Sequence, residues 1–259
     1  MKIVVLIKQV PDTYEERRLD PATGILDRAA SDPIIDEIGE RALEVALRYK
    51  DAHKGTEVVL VSMGPSSVTA ALRKGLSLGA DAAVHVLDDS LAGADLARTA
   101  SVLAAALTKS GYDLVIAGNE STDGRGGVIP AMVAEHLGLP HLTFLDSVEI
   151  SESQVSGERG TDSGSIQVHT GLPAVVSVTE RTPEVRFPNF KGILSAKKKP
   201  LTVLTVGELG LGADALSGGG RSVVLSTAER PSRTAGTKVV DEGNAGVELA
   251  EFLAAGHLI

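Results

Sequence analysis

Between Gly118 and Gly127 the chain reads GNESTDGRGG, a loop that leaves an apolar run and enters a helical pattern. Glycines at 124, 126 and 127 let backbone N–H groups approach a phosphate closely, and Ser121, Thr122 and Arg125 add hydroxyls and a cation. Neither G-x-G-x-x-G nor a Walker ending is present, so the residues leave a phosphate cradle and a plain strand-to-helix turn both open. Asp32-Pro33 and Ser62-Met63-Gly64-Pro65 stand at similar junctions and, with Leu6, could rim the same pocket. Taken singly, each reads as capping or turn chemistry.

Other chemistry is thinly represented. The histidines at 53, 85, 136, 141, 169 and 257 show no metal-binding spacing, so no metal site is expected. No serine sits in G-x-S-x-G, and Asp12 and the Asp88-Asp89 pair read as solvated loop charges. Cysteine is absent, which removes disulfides, thiolate nucleophiles and cysteine-held clusters and suits a reducing cytoplasm. The residues leave room for a nucleotide pocket and show no catalytic machinery.

A second stretch, RFPNFKGILSAKKKP from Arg186 to Pro200, is basic in a chain of net charge −9. That acidic balance argues against a nucleic-acid binder. Pro188 and Gly192 break regular structure, so Phe187, Phe190, Ile193 and Leu194 cannot share one strand face. Two readings stand: a loop displaying an apolar anchor rimmed by Lys197, Lys198 and Lys199, or a short helix or turn with its apolar residues tucked inward.

The elements that must position these residues alternate. KIVVLI, VVLVSM, AAVHVL and DLVIAG read as buried parallel strands, alternating with helical patterns over 33–49, around Ala71, Leu72 and Leu76 after GPSS, over 95–109 and over 128–137. The first helix is expected to open at Asp32-Pro33, with Asp as the cap and Pro in the first turn. After residue 140 the pattern weakens: SVEISES and SIQVHT suggest an antiparallel hairpin across a polar loop, followed by strands AVVSVT and LTVLTV. The fold class is therefore α/β, a mostly parallel, Rossmann-like sheet over 1–206 with an appended hairpin. Residues 207–259, rich in Gly, Ala and Ser, read as a C-terminal arm with a last helix near 244–255. No apolar run is long enough for a membrane span, and no signal peptide is read at the start.

KIVVLIKQVPD, the Asp-Pro pair, VSMGP, GNESTDG, LPAVVSV and RFPNFKGILSAKKKP, in that order over nearly the whole chain, resemble the β subunit of electron transfer flavoprotein. The resemblance implies a heterodimer with an α subunit that carries most of the FAD, an AMP held structurally in the β subunit, and no bond-making catalysis. It implies electron flow from flavin dehydrogenases, acyl-CoA dehydrogenases of fatty acid oxidation among them, to a membrane quinone oxidoreductase. Carried over by position, the cofactor pocket comprises Leu6, Asp32, Pro33, Ile34, Ile35, Met63, Ser121, Thr122, Asp123, Gly124, Arg125, Gly126, Gly127, Val128, Ile129 and Met132. The docking residues would be Phe187, Phe190, Ile193, Leu194 and the three lysines, with Phe190 where the family has an anchoring leucine. The chain departs from the family at Asp32, where Asn is usual, and at Arg125, Gly126 and Val128, where Asp, Thr and Gln are usual. Aromatics usual near the flavin are replaced by Thr13 and Ile34, although Tyr14 is adjacent. A flavin-bifurcating relative, with a second FAD and NADH, is the alternative.

Overall fold

A strand covered on both faces can be apolar at every position, and the N-terminal segment KIVVL has that composition. In the computed structural model, which describes residues 1–211, 224–228 and 230–259, it forms β1 (Lys2–Leu6). There follow β2 (Gln9–Pro11), β3 (Pro33–Ile35), α1 (Glu37–Ala52), β4 (Glu57–Met63), α2 (Val68–Leu78) and β5 (Ala82–Val86). Next come α3 (Leu96–Ser110), β6 (Leu114–Gly118), α4 (Ile129–Leu137) and β7 (His141–Leu145). The remaining elements are β8 (Ser147–Ile150), β9 (Gln154–Thr161), β10 (Gly164–Gly171), β11 (Ala174–Val178), α5 (Phe190–Ala196), β12 (Leu201–Leu204) and α6 (Ala245–Ala255).

Seven strands form one sheet in the order β12-β5-β4-β1-β6-β11-β7, and every neighbouring pair is parallel. Side chains alternate across it. Ile3 and Val5 pack with Leu43, Leu47 and Leu72 of α1 and α2, whereas Val4 and Leu6 pack with Leu103, Leu107 and Val133 of α3 and α4. This is the Rossmann-like α/β architecture expected from the alternating runs.

Two local expectations are corrected. The first helix does not open at Asp32-Pro33: Pro33–Ile35 pairs antiparallel with Gln9–Pro11, and the cap is Asp36, whose Oδ1 accepts from Ile38 N at 3.1 Å and Gly39 N at 3.4 Å. Both aspartates can cap, but only a start at Asp36 leaves Ile34 and Ile35 extended while Ile38, Ala42, Val45 and Tyr49 keep one buried stripe. The expected hairpin is a three-stranded antiparallel sheet, β10-β9-β8, so SVEI and SIQVH each pair with the stretch taken for their polar loop. Its glycines concealed that strand, and one is required: a Cβ at Gly157 would lie 2.2 Å from the Ser147 carbonyl.

The chain divides into two compact units, Met1–Ser226 and Thr227–Ile259. Val206 is buried, and Leu209 and Leu211 pack against the α3/α4 side of the first unit's core. In the second unit α6 buries none of its residues, and Val247, Leu249 and Phe252 are exposed. The Gly- and Ser-rich part of the expected arm, 212–223, together with residue 229, lies outside the described residues. Among the described residues no helix is long and apolar enough to cross a membrane.

Candidate functional site

The parallel sheet changes direction between β1 and β6. From β1 the chain crosses to β4, and from β6 it crosses the other way to β7, so the connections leaving the carboxyl ends of these paired strands part in opposite directions. Such switch points are where open α/β sheets place ligands. Leu6, in register with Val61 and Ala117, ends β1 there, and Met63 ends β4 nearby. The glycine loop leaves β6 and enters α4, whose cap residue Val128 supplies no side-chain acceptor. Pro130 has no N–H, so the donors of Ile129 and Ala131 are left for the loop or a ligand.

Charged residues from distant parts of the chain hold this loop. Asp123, with its side chain 2% exposed, receives Lys8 Nζ at 2.8 Å on one oxygen and Arg28 Nη2 at 2.7 Å on the other. Burial acts to raise its pKa, but the hydrogen bond and charge of Lys8, with Ser121 and Arg28, hold the carboxyl well below the usual carboxylate range. Asp36 ties the loop to α1: its Oδ2 accepts Thr122 N at 2.6 Å and Thr122 Oγ1 at 2.8 Å. Arg17 donates through Nη1 to the Thr122 carbonyl. Arg125 adopts the left-handed region at φ 48° and pairs with Glu120 at 3.3 Å.

The residues carried over from the resemblance divide by access. Gly124, Arg125, Gly126 and Val128 are exposed, as are Asp32 and Pro33. Ser121, Thr122, Gly127, Ile129, Met132, Met63 and Ile34 are half-buried. Leu6 and Ile35 are buried, Ile35 within the α1/α2 side of the core. Asp36, Lys8, Arg28 and Arg17 did not emerge from the motifs. A signal for Asp36 existed, since it immediately precedes the helical stripe that starts at Ile38.

The basic stretch becomes α5, capped by Asn189 Oδ1, which accepts from Gly192 N at 2.7 Å. It is a helix, but its apolar residues point outward: Phe187 is 95% exposed, Phe190 77%, and Ile193 and Leu194 about half. Both ends are fastened. Arg186 closes Nε and Nη2 on buried Glu44 at 2.9 and 3.2 Å and reaches Asp51 at 2.8 Å. Burial raises the Glu44 pKa, but Arg186 and Arg48 outweigh it and hold the carboxyl low. Arg73 Nη1 donates to the carbonyls of Ala196 at 2.7 Å and Lys199 at 2.8 Å. Lys197 and Lys198 are exposed, whereas Lys199 caps α2 by donating to Leu76 O at 2.9 Å and Ala80 O at 2.6 Å. Burial, then the charge of Lys50, pushes the Lys199 pKa down.

A parallel sheet wound both ways, with a glycine loop at its switch point, defines an open-sheet α/β protein of the Rossmann-like class. Residues 23–209 match the family model described as the electron transfer flavoprotein domain. The chain is 51% identical over 264 residues, covering 99% of both chains, to the electron transfer flavoprotein subunit beta of Mycobacterium tuberculosis (strain ATCC 25618 / H37Rv). It is 37% identical to the subunit beta of Thermoanaerobacterium thermosaccharolyticum, with 81% of this chain and 80% of that one covered. It is 33% identical to the Caffeyl-CoA reductase-Etf complex subunit CarD of Acetobacterium woodii, covering 83% and 82%. The chain belongs to the electron transfer flavoprotein family.

Proposed function

We propose that this chain is the β subunit of a heterodimeric electron carrier, that it holds AMP on the glycine loop, and that it supports FAD borne mainly by an α subunit. The observation that carries the nucleotide reading is the loop itself: three glycines and an uncapped α4 start at the sheet's switch point, pinned by Asp123 and Asp36. Backbone donors there suit a phosphate whatever side chains occupy Arg125, Gly126 and Val128. Exposed Tyr14 stands in sequence between Thr13 and Glu15, which line a cleft with Thr122 and Arg125 of the loop. The flavin supplies the redox chemistry, and the protein contributes binding, orientation and electrostatics. Docking to flavin dehydrogenases is assigned to α5, where Phe190 stands out from a fastened helix and Lys197 and Lys198 steer an acidic surface. Onward transfer to a membrane quinone oxidoreductase, in a cytoplasmic setting, completes the reading.

A second reading, a bifurcating relative with a second FAD and NADH, is favoured by one feature: Arg125 adds positive charge beside the loop, which suits a ligand with more phosphate than AMP. Denaturing the purified complex and quantifying released nucleotides separates the two. Equal amounts of FAD and AMP are expected; two FAD and no AMP would establish the second reading, and neither nucleotide would reject both.

A further inference from the structure

Among the described residues, no carboxylate pairs with Arg17. Its Nη1 donates to the neutral Thr122 carbonyl, while Nε and Nη2 have no hydrogen-bond partner and are shielded from solvent. The acids of the neighbouring segments bond to other groups, and Glu15 alone among them keeps its charge in the cleft that Arg17 lines. Glu15 accepts Asp32 N at 2.8 Å, Glu37 accepts Thr13 Oγ1 at 2.8 Å, and Asp123 faces Lys8 and Arg28. Asp36 holds Thr122 and the first turn of α1, and Glu120 pairs with Arg125. A desolvated guanidinium without a counter-charge is costly, so an anion that reaches it gains strongly.

Nε and Nη2 lie on one edge of the guanidinium, the fork that grips two oxygens of an oxyanion. The molecule uses this edge elsewhere, where Arg186 closes the same two nitrogens on Glu44. Arg17 also lines a cleft of about 410 Å³ together with Thr13, Glu15, Thr122 and Arg125. The ion pair of Arg125 with Glu120 is mostly solvent-exposed on the arginine side, and such pairs exchange at little cost.

We infer that this cleft is a second anion site beside the glycine loop, taking a phosphate group on the Arg17 fork with Arg125 completing the grip. A phosphate has enough oxygens to occupy the fork and still reach Arg125, whereas a carboxylate exhausts both on the fork. Turning the fork toward the cleft exchanges two unpartnered donors for two charge-assisted bonds. The inference rests on the nucleotide reading only for the source of the phosphate, which is either the outer phosphate of a nucleotide seated on the loop or a phosphate of a separate molecule.

The test uses the full-length chain in the complex it forms, stripped of nucleotide and titrated calorimetrically with AMP, ADP and inorganic phosphate. If the outer phosphate of the same nucleotide fills the cleft, ADP binds at least about tenfold tighter than AMP, and Arg17→Ala brings the ratio of the two affinities close to one, whatever the lost hold on Thr122 costs both nucleotides. If a separate molecule fills it, inorganic phosphate binds the AMP-saturated complex and Arg17→Ala abolishes that binding. Arg17→Lys, which keeps the charge without the fork, retains folding and recovers only part of either signal. Equal affinities for AMP and ADP with no Arg17-dependent phosphate binding overturn the inference and leave the nucleotide reading intact. An equal loss of AMP and ADP in Arg17→Ala, which leaves their ratio unchanged, also overturns it and limits Arg17 to supporting the loop. Failure of both nucleotides to bind the wild-type complex rejects the nucleotide reading, and the inorganic-phosphate arm then decides the cleft alone.

Discussion

Asp123 has both carboxylate oxygens engaged, so its contribution to the site is the position of the loop rather than contact with a ligand. Replacing it with Asn leaves Lys8 and Arg28 close together with no charge between them. Because both cations are nearly half exposed, solvent moderates the cost, and Asp123→Asn is expected to lower stability by about 1–3 kcal/mol. The folded-state pKa lies below the ordinary 3.8, so this contribution is complete above that pH and is lost as pH falls through the depressed value. Urea titrations of both proteins should show a constant gap from neutral pH to about pH 5, narrowing only below about pH 4. A gap that already closes near pH 6 would mean that another group carries the effect. The glycine loop was legible in the sequence because its signal is local, but this clamp was not: Lys8 and Arg28 lie 115 and 95 positions from Asp123, and only the fold brings them together.

At the scale of elements, α5 is short, and seven residues do not hold a helix in water unaided. It stands because Asn189 caps it, Arg186 and Arg73 fasten its ends, and Gly192 lets it approach α2 so closely that a Cβ there would lie 2.3 Å from the Ser77 carbonyl. Arg73→Ala should therefore accelerate amide exchange across 190–196 by about tenfold or more, with β1 and β4 unchanged, since two charge-assisted bonds to backbone are lost. Uniform acceleration across the sheet would point to general destabilisation instead. Phe190→Ala separates display from support: electron transfer from a dehydrogenase at limiting concentration should slow by about tenfold, while flavin content and assembly remain normal. An unchanged rate would remove Phe190 from the docking surface. The sequence placed the apolar and basic residues of this element but left helix and loop open, because fastening by Glu44 and Arg73 is tertiary. The same limit explains β9, whose glycines and polar residues resemble a loop until its neighbours are paired, whereas β1, β4, β6 and β11 were readable as unbroken apolar runs buried on both faces.

At the scale of the molecule, the second unit contains a helix none of whose residues is buried. Eleven residues, α6, form a helix without a side-chain cap bond, and isolated helices of this length are marginal in water. Its Val247, Leu249 and Phe252 are exposed, as are Leu258 and Ile259 beyond its end. Five large apolar side chains over so short a span would be unfavourable if they stayed in water, and burying them against another chain both removes that surface and supplies the packing the helix lacks. We propose that this surface meets the α subunit. The double substitution Leu249→Ser and Phe252→Ser keeps chain length and net charge while removing the two largest apolar contacts of the helix. It should weaken association with the α subunit by more than about tenfold in a calorimetric or ultracentrifugation titration. Thermal unfolding of the isolated β chain should move little, because the loss of two exposed side chains leaves the core of the first unit intact. Undiminished association would take α6 out of the subunit interface, and a lowered unfolding temperature in the isolated chain would show that the helix packs on its own subunit instead.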